Sequence, residues 1–198
     1  MQLAVQPLNY SDCIKHRERK DMELKRIAVE DFNANVFAIL NQHWMLLTSG
    51  DWQGKYNTMT ISWGFLGYFW FKPLVIAGVR PQRYTYEFME DHNTFSLCAF
   101  PEEFKPALSI CGANSGRHSD KIGQAGLTPV ECEKIDAPAF EEAELVIECR
   151  KVYADSLAGK FFADKNILGE CYKERDFHKL FFGEVVNIRG IEKYCRKS

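Results

Sequence analysis

At 198 residues, the chain is long enough to fold as one domain with a sizeable core. Hydrophobic residues make up 46% of it and aromatic residues 14%, which excludes a disordered chain. The formal net charge is only -2, so the chain has no general attraction to nucleic acid or to an anionic membrane. An anionic ligand would need a local cluster of donors.

The N-terminal third begins with a charged segment and continues with strands. Residues 1–30 contain the mixed-sign block KHRERKDMELKR, which predicts a solvated helix or an extended arm. A strand is predicted around residues 44–48, then a turn region at 49–55 and a returning strand at 56–65. The apolar run PLVIAGV, bounded by Pro73 and Pro81, is typical of a strand buried on both faces.

The returning strand, YNTMTISWGF, has two chemically different faces because its side chains alternate. One face carries large apolar side chains: Met59, Ile61, Trp63 and Phe65. The other carries small and mostly hydroxyl-bearing residues: Thr58, Thr60, Ser62 and Gly64. Taken alone, this small-residue face is more typical of a solvated strand face than of a binding surface.

Short helices and further strands follow. Helices are predicted near 85–91, in PEEFKPALSICGANSG and in HSDKIGQAG, where Gly126 ends the helix and Asp120 is a candidate cap. Strands are predicted at TFSLCAF and at about 127–132, 144–155 and 178–189, with a connector, FFADKNILGECYKERD, before the last. Many strands with few short helices favour a mainly β fold, a β-barrel with peripheral helices.

The seven cysteines indicate neither a disulfide framework nor a zinc site. Their number is odd and no pair has C-x-x-C spacing. Free buried thiols in a reducing cytosol are expected, and redox activity of Cys98 or Cys111 is the less favoured reading. The N-terminus does not read as a signal peptide, and Lys72 and Pro73 interrupt the longest apolar run, so no membrane span is predicted.

Two segments could bind an anion. In GVRPQRYTYEF, Arg80 and Arg83 follow a buried strand and precede a helix whose cap candidate is Thr85, where unpaired N–H groups and guanidinium groups suit a phosphate. Solvated arginines beside an ordinary cap explain this segment equally well. In ANSGRHSDKIG, Ser115, Gly116 and Lys121 place a hydroxyl, a flexible backbone and a cation in one loop, which can cradle an anion or merely turn the chain.

The remaining motifs exclude several chemistries. There is no G-x-G-x-x-G after a strand, no P-loop and no G-x-S-x-G, so classical dinucleotide, P-loop and serine-hydrolase sites are disfavoured. No histidine has carboxylate or cysteine neighbours at metal spacing, so no metal site is proposed. His178 stands at the entrance of the strand HKLFFGEVVNI.

Three separated segments, in order between about Val36 and Ile188, resemble the flavin reductase-like family of FMN-binding split barrels, which includes flavoredoxins. They are NTMTISWGFLG…KPLVIAGVRPQRYTYEFMEDHNTFSLCAF, SGRHSDKIGQAGLTPVE and HKLFFGEVVNI. The resemblance implies a Greek-key split barrel that forms a homodimer and holds FMN near the subunit interface. We divide the chain into an arm at 1–30, an FMN-binding domain at 31–190 and a tail at 191–198, and the two ends match no part of the family pattern.

The resemblance also assigns residues to the cofactor. The flavin ring would lie along the strand, the phosphate would meet the two anion-friendly segments, and His178 would lie where a nicotinamide stacks and is the catalytic candidate. The implied cofactor-binding residues are Asn57, Thr58, Met59, Thr60, Ile61, Ser62, Trp63, Arg80, Arg83, Thr85, Ser115, Gly116 and Lys121. For Trp63, a plain core role is an equal alternative.

The leading functional hypothesis is a cytoplasmic NAD(P)H:flavin oxidoreductase that passes electrons through FMN to an acceptor. The alternative is a flavoredoxin-type FMN electron carrier that does not oxidise NAD(P)H directly. A barrel that binds single-stranded nucleic acid by base stacking is disfavoured by the charge balance. Sequence alone leaves open the choice of NADH or NADPH, the final acceptor, the tightness of FMN binding and the role of the two ends.

Overall fold

The computed structural model describes residues 23–196, which form ten strands and five α-helices. The strands are β1 (Lys25–Arg26), β2 (Met45–Gly50), β3 (Tyr56–Ile61), β4 (Gly64–Phe69), β5 (Lys72–Val79), β6 (Thr94–Ala99), β7 (Pro129–Val130), β8 (Ala139–Phe140), β9 (Leu145–Ser156) and β10 (Lys179–Gly190). The helices are α1 (Val36–Ala38), α2 (Tyr84–Asp91), α3 (Lys105–Ala113), α4 (Lys121–Gln124) and α5 (Asn166–Cys171). A π-helical turn, Ile39–His43, extends α1.

Eight strands form one antiparallel sheet in the order β3-β2-β6-β9-β10-β5-β4, with β1 paired to the end of β10. Strands β7 and β8 form a separate pair. The pairing between β9 and β10 shifts register twice, and such irregularities bend long strands. In the described part of the chain β3 and β4 lie at the two ends of the sheet and do not close it, which confirms the predicted mainly β, split-barrel fold class.

Apolar side chains on both faces of the central strands hold the sheet in place. Leu47, Leu97 and Ile147 belong to one core cluster, and their neighbours Leu46, Cys98 and Val146 belong to a second one. Successive side chains of a strand point to opposite faces, so each of these strands is covered on both sides. Helix α3 packs into the second cluster through Leu108 and Cys111.

The predicted elements are mostly present, with three differences. The strand predicted at 56–65 is interrupted at Ser62 and Trp63, where the chain passes from β3 to β4. The strand predicted at 127–132 has only the two residues of β7, and the connector before β10 contains α5. The remaining predicted strands and helices appear within a few residues of their expected positions.

The β4–β5 hairpin has an unusual turn. Trp70 and Phe71 both have positive φ angles, 53° and 58°, a conformation that usually favours asparagine and glycine. Trp70 packs 5.9 Å from Phe182, ring centroid to ring centroid, whereas Phe71 is 93% exposed. The turn therefore exposes aromatic side chains at two positions that asparagine or glycine usually occupies.

The ends of the described chain pack against the domain. Ile27 is buried, and the Tyr194 hydroxyl donates a hydrogen bond of 2.7 Å to Glu144. Most of the predicted N-terminal arm, residues 1–22, lies outside the described residues. The division into arm, domain and tail remains a prediction.

The six described cysteines are free. Cys98 and Cys111 are buried, and burial raises the pKa of the Cys98 thiol to about 12 and that of Cys111 to about 11. Such thiols hold few thiolates at neutral pH. None of the described helices is long and apolar enough to cross a membrane.

Candidate functional site

Two adjoining cavities open where β3 gives way to β4. The smaller, about 190 Å³ and here called the arginine cleft, is lined by Met59, Thr60, Ile61, Ser62, Trp63, Gly78, Arg80, Arg83 and His178. The larger, about 590 Å³ and here called the apolar cavity, shares Ser62, Trp63, Gly78 and His178 with it. Trp63 and His178 form the wall between them, with ring centroids 5.1 Å apart.

Strand β3 reaches the arginine cleft because it lies at the end of the sheet. Among the described strands it pairs only with β2, so its other side has no strand neighbour. Backbone N–H and C=O groups on an unpaired strand edge can hydrogen-bond a ligand. The interruption at Trp63 is held to the sheet by a hydrogen bond of 3.4 Å from the Gly78 N–H to the Trp63 carbonyl.

On the small-residue face of β3, Thr58 and Thr60 contact other parts of the protein. The Thr58 hydroxyl accepts a 2.9 Å hydrogen bond from Thr48, and the Thr60 hydroxyl donates to the Leu108 carbonyl of α3. A Cβ placed on Gly112 would lie 3.1 Å from the Thr60 Cβ, so α3 approaches β3 closely. The small Thr60 side chain thus makes room for a helix, and the main chain of the strand is left for a ligand.

The two predicted arginines precede the first turn of α2, and Arg83 occupies its N-cap position. Arg80 donates to Asp176 and, over 2.7 Å, to the Cys171 carbonyl, and its guanidinium lies 5.2 Å from the centre of the Tyr172 ring. Arg83 is exposed and donates one hydrogen bond of 2.8 Å to the Gly112 carbonyl. Arg83 therefore keeps most of its donors for a ligand, whereas Arg80 is already held by the protein.

Lys121 is buried at the first position of α4 rather than extended in a loop. Its Nζ donates hydrogen bonds of 3.2 Å to the Cys111 and Asn114 carbonyls, at the C-terminal end of α3. Burial, with a smaller contribution from the charge of Arg83, lowers the pKa of Lys121 to about 8. Asp120 caps α4 as predicted, accepting from the Gly123 N–H over 2.9 Å.

Asn57, Thr85 and Gly116 join three segments beside this cluster. The Asn57 side-chain amide donates a 2.7 Å hydrogen bond to the Thr85 hydroxyl, and a Cβ on Gly116 would lie 2.1 Å from Asn57 Oδ1. Thr85 is not the helix cap that the sequence predicts: Arg83 occupies the cap position without a side-chain capping bond. The Ser115 hydroxyl accepts from the Arg117 N–H over 3.3 Å.

His178 contacts a residue that sequence reasoning missed. Its Nδ1 lies 2.8 Å from the hydroxyl of Tyr172, which is buried in the connector before β10. Burial lowers the pKa of His178 to about 4, with a further contribution from the positive charge of Arg80, so the ring is neutral at pH 7. No periodic pattern links Tyr172 to His178, because an irregular segment separates them.

The flavin reductase like domain model matches residues 38–196. The chain belongs to this family. Among solved structures, the flavoredoxin of Desulfovibrio vulgaris (Miyazaki F) is 20% identical, with a TM-score of 0.61 and coverage of 81% of this chain and 75% of that chain. The flavoredoxin of Methanosarcina acetivorans is 26% identical, with a TM-score of 0.59 and coverage of 86% and 77%.

Two further similar proteins are named as an oxidoreductase and as an uncharacterized protein. An NADH:FAD oxidoreductase of Streptomyces globisporus C-1027 is 18% identical, with a TM-score of 0.55 and coverage of 74% of this chain and 73% of that chain. An uncharacterized protein of Aeropyrum pernix is 24% identical over 130 residues, which are 65% of this chain and 48% of that protein. The match therefore spans about half the length of that curated relative.

The residues present fit a flavin mononucleotide. The exposed guanidinium group of Arg83, the buried ammonium group of Lys121 and the N-terminus of α2 supply positive charge for a phosphate, and the edge of β3 supplies backbone groups for a ring. Seven of the predicted cofactor-binding residues line the arginine cleft with His178: Met59, Thr60, Ile61, Ser62, Trp63, Arg80 and Arg83. The other six lie outside that lining: Asn57, Thr58, Thr85, Ser115, Gly116 and Lys121.

Proposed function

We propose that this chain binds FMN in the arginine cleft and acts as an NAD(P)H:flavin oxidoreductase. The observation that carries the proposal is the conjunction of an unpaired strand edge, two arginines at a helix start and the wall formed by Trp63 and His178. Bound FMN would supply the redox chemistry, taking electrons from a reduced nicotinamide and passing them to an acceptor.

The protein's own residues would bind and orient the cofactor. Arg83 would contact the phosphate directly. Lys121 would add a second positive charge to the site, since the charges of Lys121 and Arg83 are close enough to interact. The main chain of Met59–Ser62 would run beside the ring. Neutral His178 would donate or accept a hydrogen bond at the ring face, because its low pKa excludes a charged imidazolium at pH 7.

The first test is the colour and phosphate preference of the purified protein. We expect a yellow protein that NADH or NADPH bleaches without oxygen; a colourless protein that does not take up added FMN contradicts the proposal. Arg83→Ala should weaken FMN binding about tenfold or more and riboflavin binding little, because a charge-assisted phosphate contact is lost. Arg150→Ala is the matched control, since Arg150 is exposed on β9 and lies outside both anion-binding segments and the cleft lining.

A flavoredoxin-type electron carrier is the second candidate. The apolar cavity beside His178 has no charged residue in its lining, so it offers no partner for the pyrophosphate of a nicotinamide dinucleotide. Stopped-flow mixing with NADH and with NADPH separates the two functions. Bleaching on the timescale of turnover supports the oxidoreductase, and bleaching slower by orders of magnitude supports the carrier.

We also propose a homodimer in the cytoplasm. Exposed aromatic side chains on β4 and its hairpin support self-association, because large apolar side chains exposed on a surface often mark an interface. They are Phe65, Tyr68, Phe69, Trp70 and Phe71. The free cysteines of the described chain support a reducing compartment.

A further inference from the structure

We infer that a further cavity, in the connector before β10, binds the phosphate monoester of a nucleotide whose base stacks on aromatic side chains. Its lining includes Lys160, Tyr172, Lys173, Arg175 and Phe177, and it is here called the connector cavity. The volume of about 720 Å³ lies in the range of small-molecule sites. The connector cavity shares no lining residue with the arginine cleft. A link to electron transfer rests on the proposed function, whereas the binding does not.

The lining of the connector cavity carries three positive charges and no negative one. Lys160, Lys173 and Arg175 are exposed, and within residues 23–196 no ion pair involves any of the three. Like charges in one cavity repel each other, so an anion with two charges, such as a phosphate monoester, is favoured there. The acidic residues of the connector lie outside the lining: Asp164, Glu170, Glu174 and Asp176.

Arg175 has a backbone conformation that arginine rarely adopts. Its φ angle is 55°, in the left-handed region that favours glycine and asparagine. A hydrogen bond of 3.0 Å from its N–H to the Tyr172 carbonyl closes a turn over residues 172–175. Because glycine would fit this turn with less strain, an arginine here indicates a role for the guanidinium group, which can bind two phosphate oxygens at once.

Aromatic rings supply the apolar part of the wall. The ring centroids of Tyr172 and Phe177 are 5.0 Å apart, and Phe162 stacks on Phe177 at 5.9 Å. A Cβ on Gly159 would lie 3.0 Å from the Phe177 ring, so the chain approaches this ring closely. Flat bases stack on such rings, which favours a nucleotide over inorganic phosphate.

Two kinds of molecule carry this chemistry. Tyr172 lines both the connector cavity and the apolar cavity, so the three cations lie across one ring from a cavity that has no charged lining residue. One source is therefore NADPH, whose adenosine carries a 2′-phosphate. The other is a free nucleotide that binds beside the site without donating electrons.

The test compares 2′-AMP with adenosine, which has the same base and no phosphate. Ligand-detected NMR titration of the FMN-saturated protein at low salt should give 2′-AMP a Kd lower by about tenfold or more, the range of charge-assisted hydrogen bonds. The difference should shrink as salt is added, because exposed cations are screened. Equal Kd values, no binding by 2′-AMP, or its displacement by excess FMN would overturn the inference.

Variants assign the binding to the connector cavity. Arg175→Asn should weaken 2′-AMP about tenfold and leave adenosine unchanged, and it should not lower Tm, because asparagine tolerates a positive φ. Lys165→Gln is the matched control, since Lys165 is an exposed lysine of the same connector that lies outside the lining. Unchanged 2′-AMP binding in Arg175→Asn, or an equal loss in Lys165→Gln, contradicts the assignment.

Competition identifies the source of the phosphate. Inhibition of NADPH-dependent bleaching by 2′-AMP, competitive with NADPH, identifies the electron donor, whereas binding of 2′-AMP without inhibition identifies a free nucleotide. A protein that takes up no FMN and still prefers 2′-AMP to adenosine fails the proposed function alone. A yellow protein that NADPH bleaches but that does not prefer 2′-AMP fails this inference alone.

Discussion

His178 lies between Tyr172 and Trp63 and is held neutral, which makes the stability of this protein depend on pH. The folded pKa of His178 is about 4 and its ordinary value is 6.5, so the unfolded chain binds more protons between those values. The free energy of unfolding therefore falls as pH decreases from 6.5 towards 4. This contribution is fully present above pH 6.5.

Replacing His178 by Gln removes that contribution. Between pH 7 and pH 4.5 we expect the variant to lose about 1–3 kcal/mol less unfolding free energy than the natural protein, since one pKa unit corresponds to about 1.4 kcal/mol. Urea unfolding at both pH values measures the difference. The same loss in both proteins would show that His178 is not held neutral.

Lys121 should make FMN binding depend on pH, because its protonated form would stabilise the bound phosphate. Its pKa is lowered to about 8 by burial, and a phosphate dianion nearby would raise it again. At pH 8.5 we therefore expect proton uptake on FMN binding, measured by calorimetry in buffers of different ionisation enthalpy. Lys121→Met should abolish the uptake, and riboflavin should show little of it. Equal uptake for FMN and riboflavin would remove Lys121 from the phosphate site.

At the scale of the element, the site depends on how closely α3 approaches β3. Gly112 of α3 faces Thr60 of β3, and the Thr60 hydroxyl is tied to the α3 carbonyl of Leu108. Any increase in the distance between the helix and the strand displaces the strand edge proposed to bind the flavin. The helix thus positions the main chain of the cleft.

A pair of glycine substitutions tests this dependence. Alanine is favoured over glycine in a helix by up to about 1 kcal/mol. An added Cβ at Gly169 of α5 would meet open space, so Gly169→Ala should raise Tm. Gly112→Ala should lack this gain and should weaken FMN binding several-fold, because its Cβ meets Thr60 at 3.1 Å. Equal gains in Tm with unchanged FMN affinity would show that the helix does not control the strand edge.

Sequence patterns predicted most strands and helices because alternation and glycine or proline boundaries are local signals. The sequence does not predict the interruption at Ser62 and Trp63, since neither residue breaks a strand by itself. The break depends on pairing that is distant in sequence, because β4 pairs with β5 and β5 pairs with β10. The role of Thr85 and the partners of Lys121 were also missed. Both depend on segments that are distant in sequence: Asn57 for Thr85, and the end of α3 for Lys121.

At the scale of the whole molecule, the exposed aromatic side chains of β4 and its hairpin predict self-association. Phe65→Glu with Tyr68→Glu should convert a dimer to a monomer, because both side chains are more than 60% exposed and a charge in an apolar interface is costly. Light scattering after gel filtration measures the mass. Phe161→Glu, at an exposed aromatic residue of the connector, is the matched control and should leave the mass unchanged.

The open sheet has a consequence for how the protein behaves without its cofactor. A closed barrel has no strand edges, whereas β3 carries a row of backbone groups that a strand of another chain could pair with. A flavin lying along β3 would occupy those groups, and its loss would uncover a template for aggregation. Cofactor supply during synthesis would then protect the yield of native protein as well as its activity.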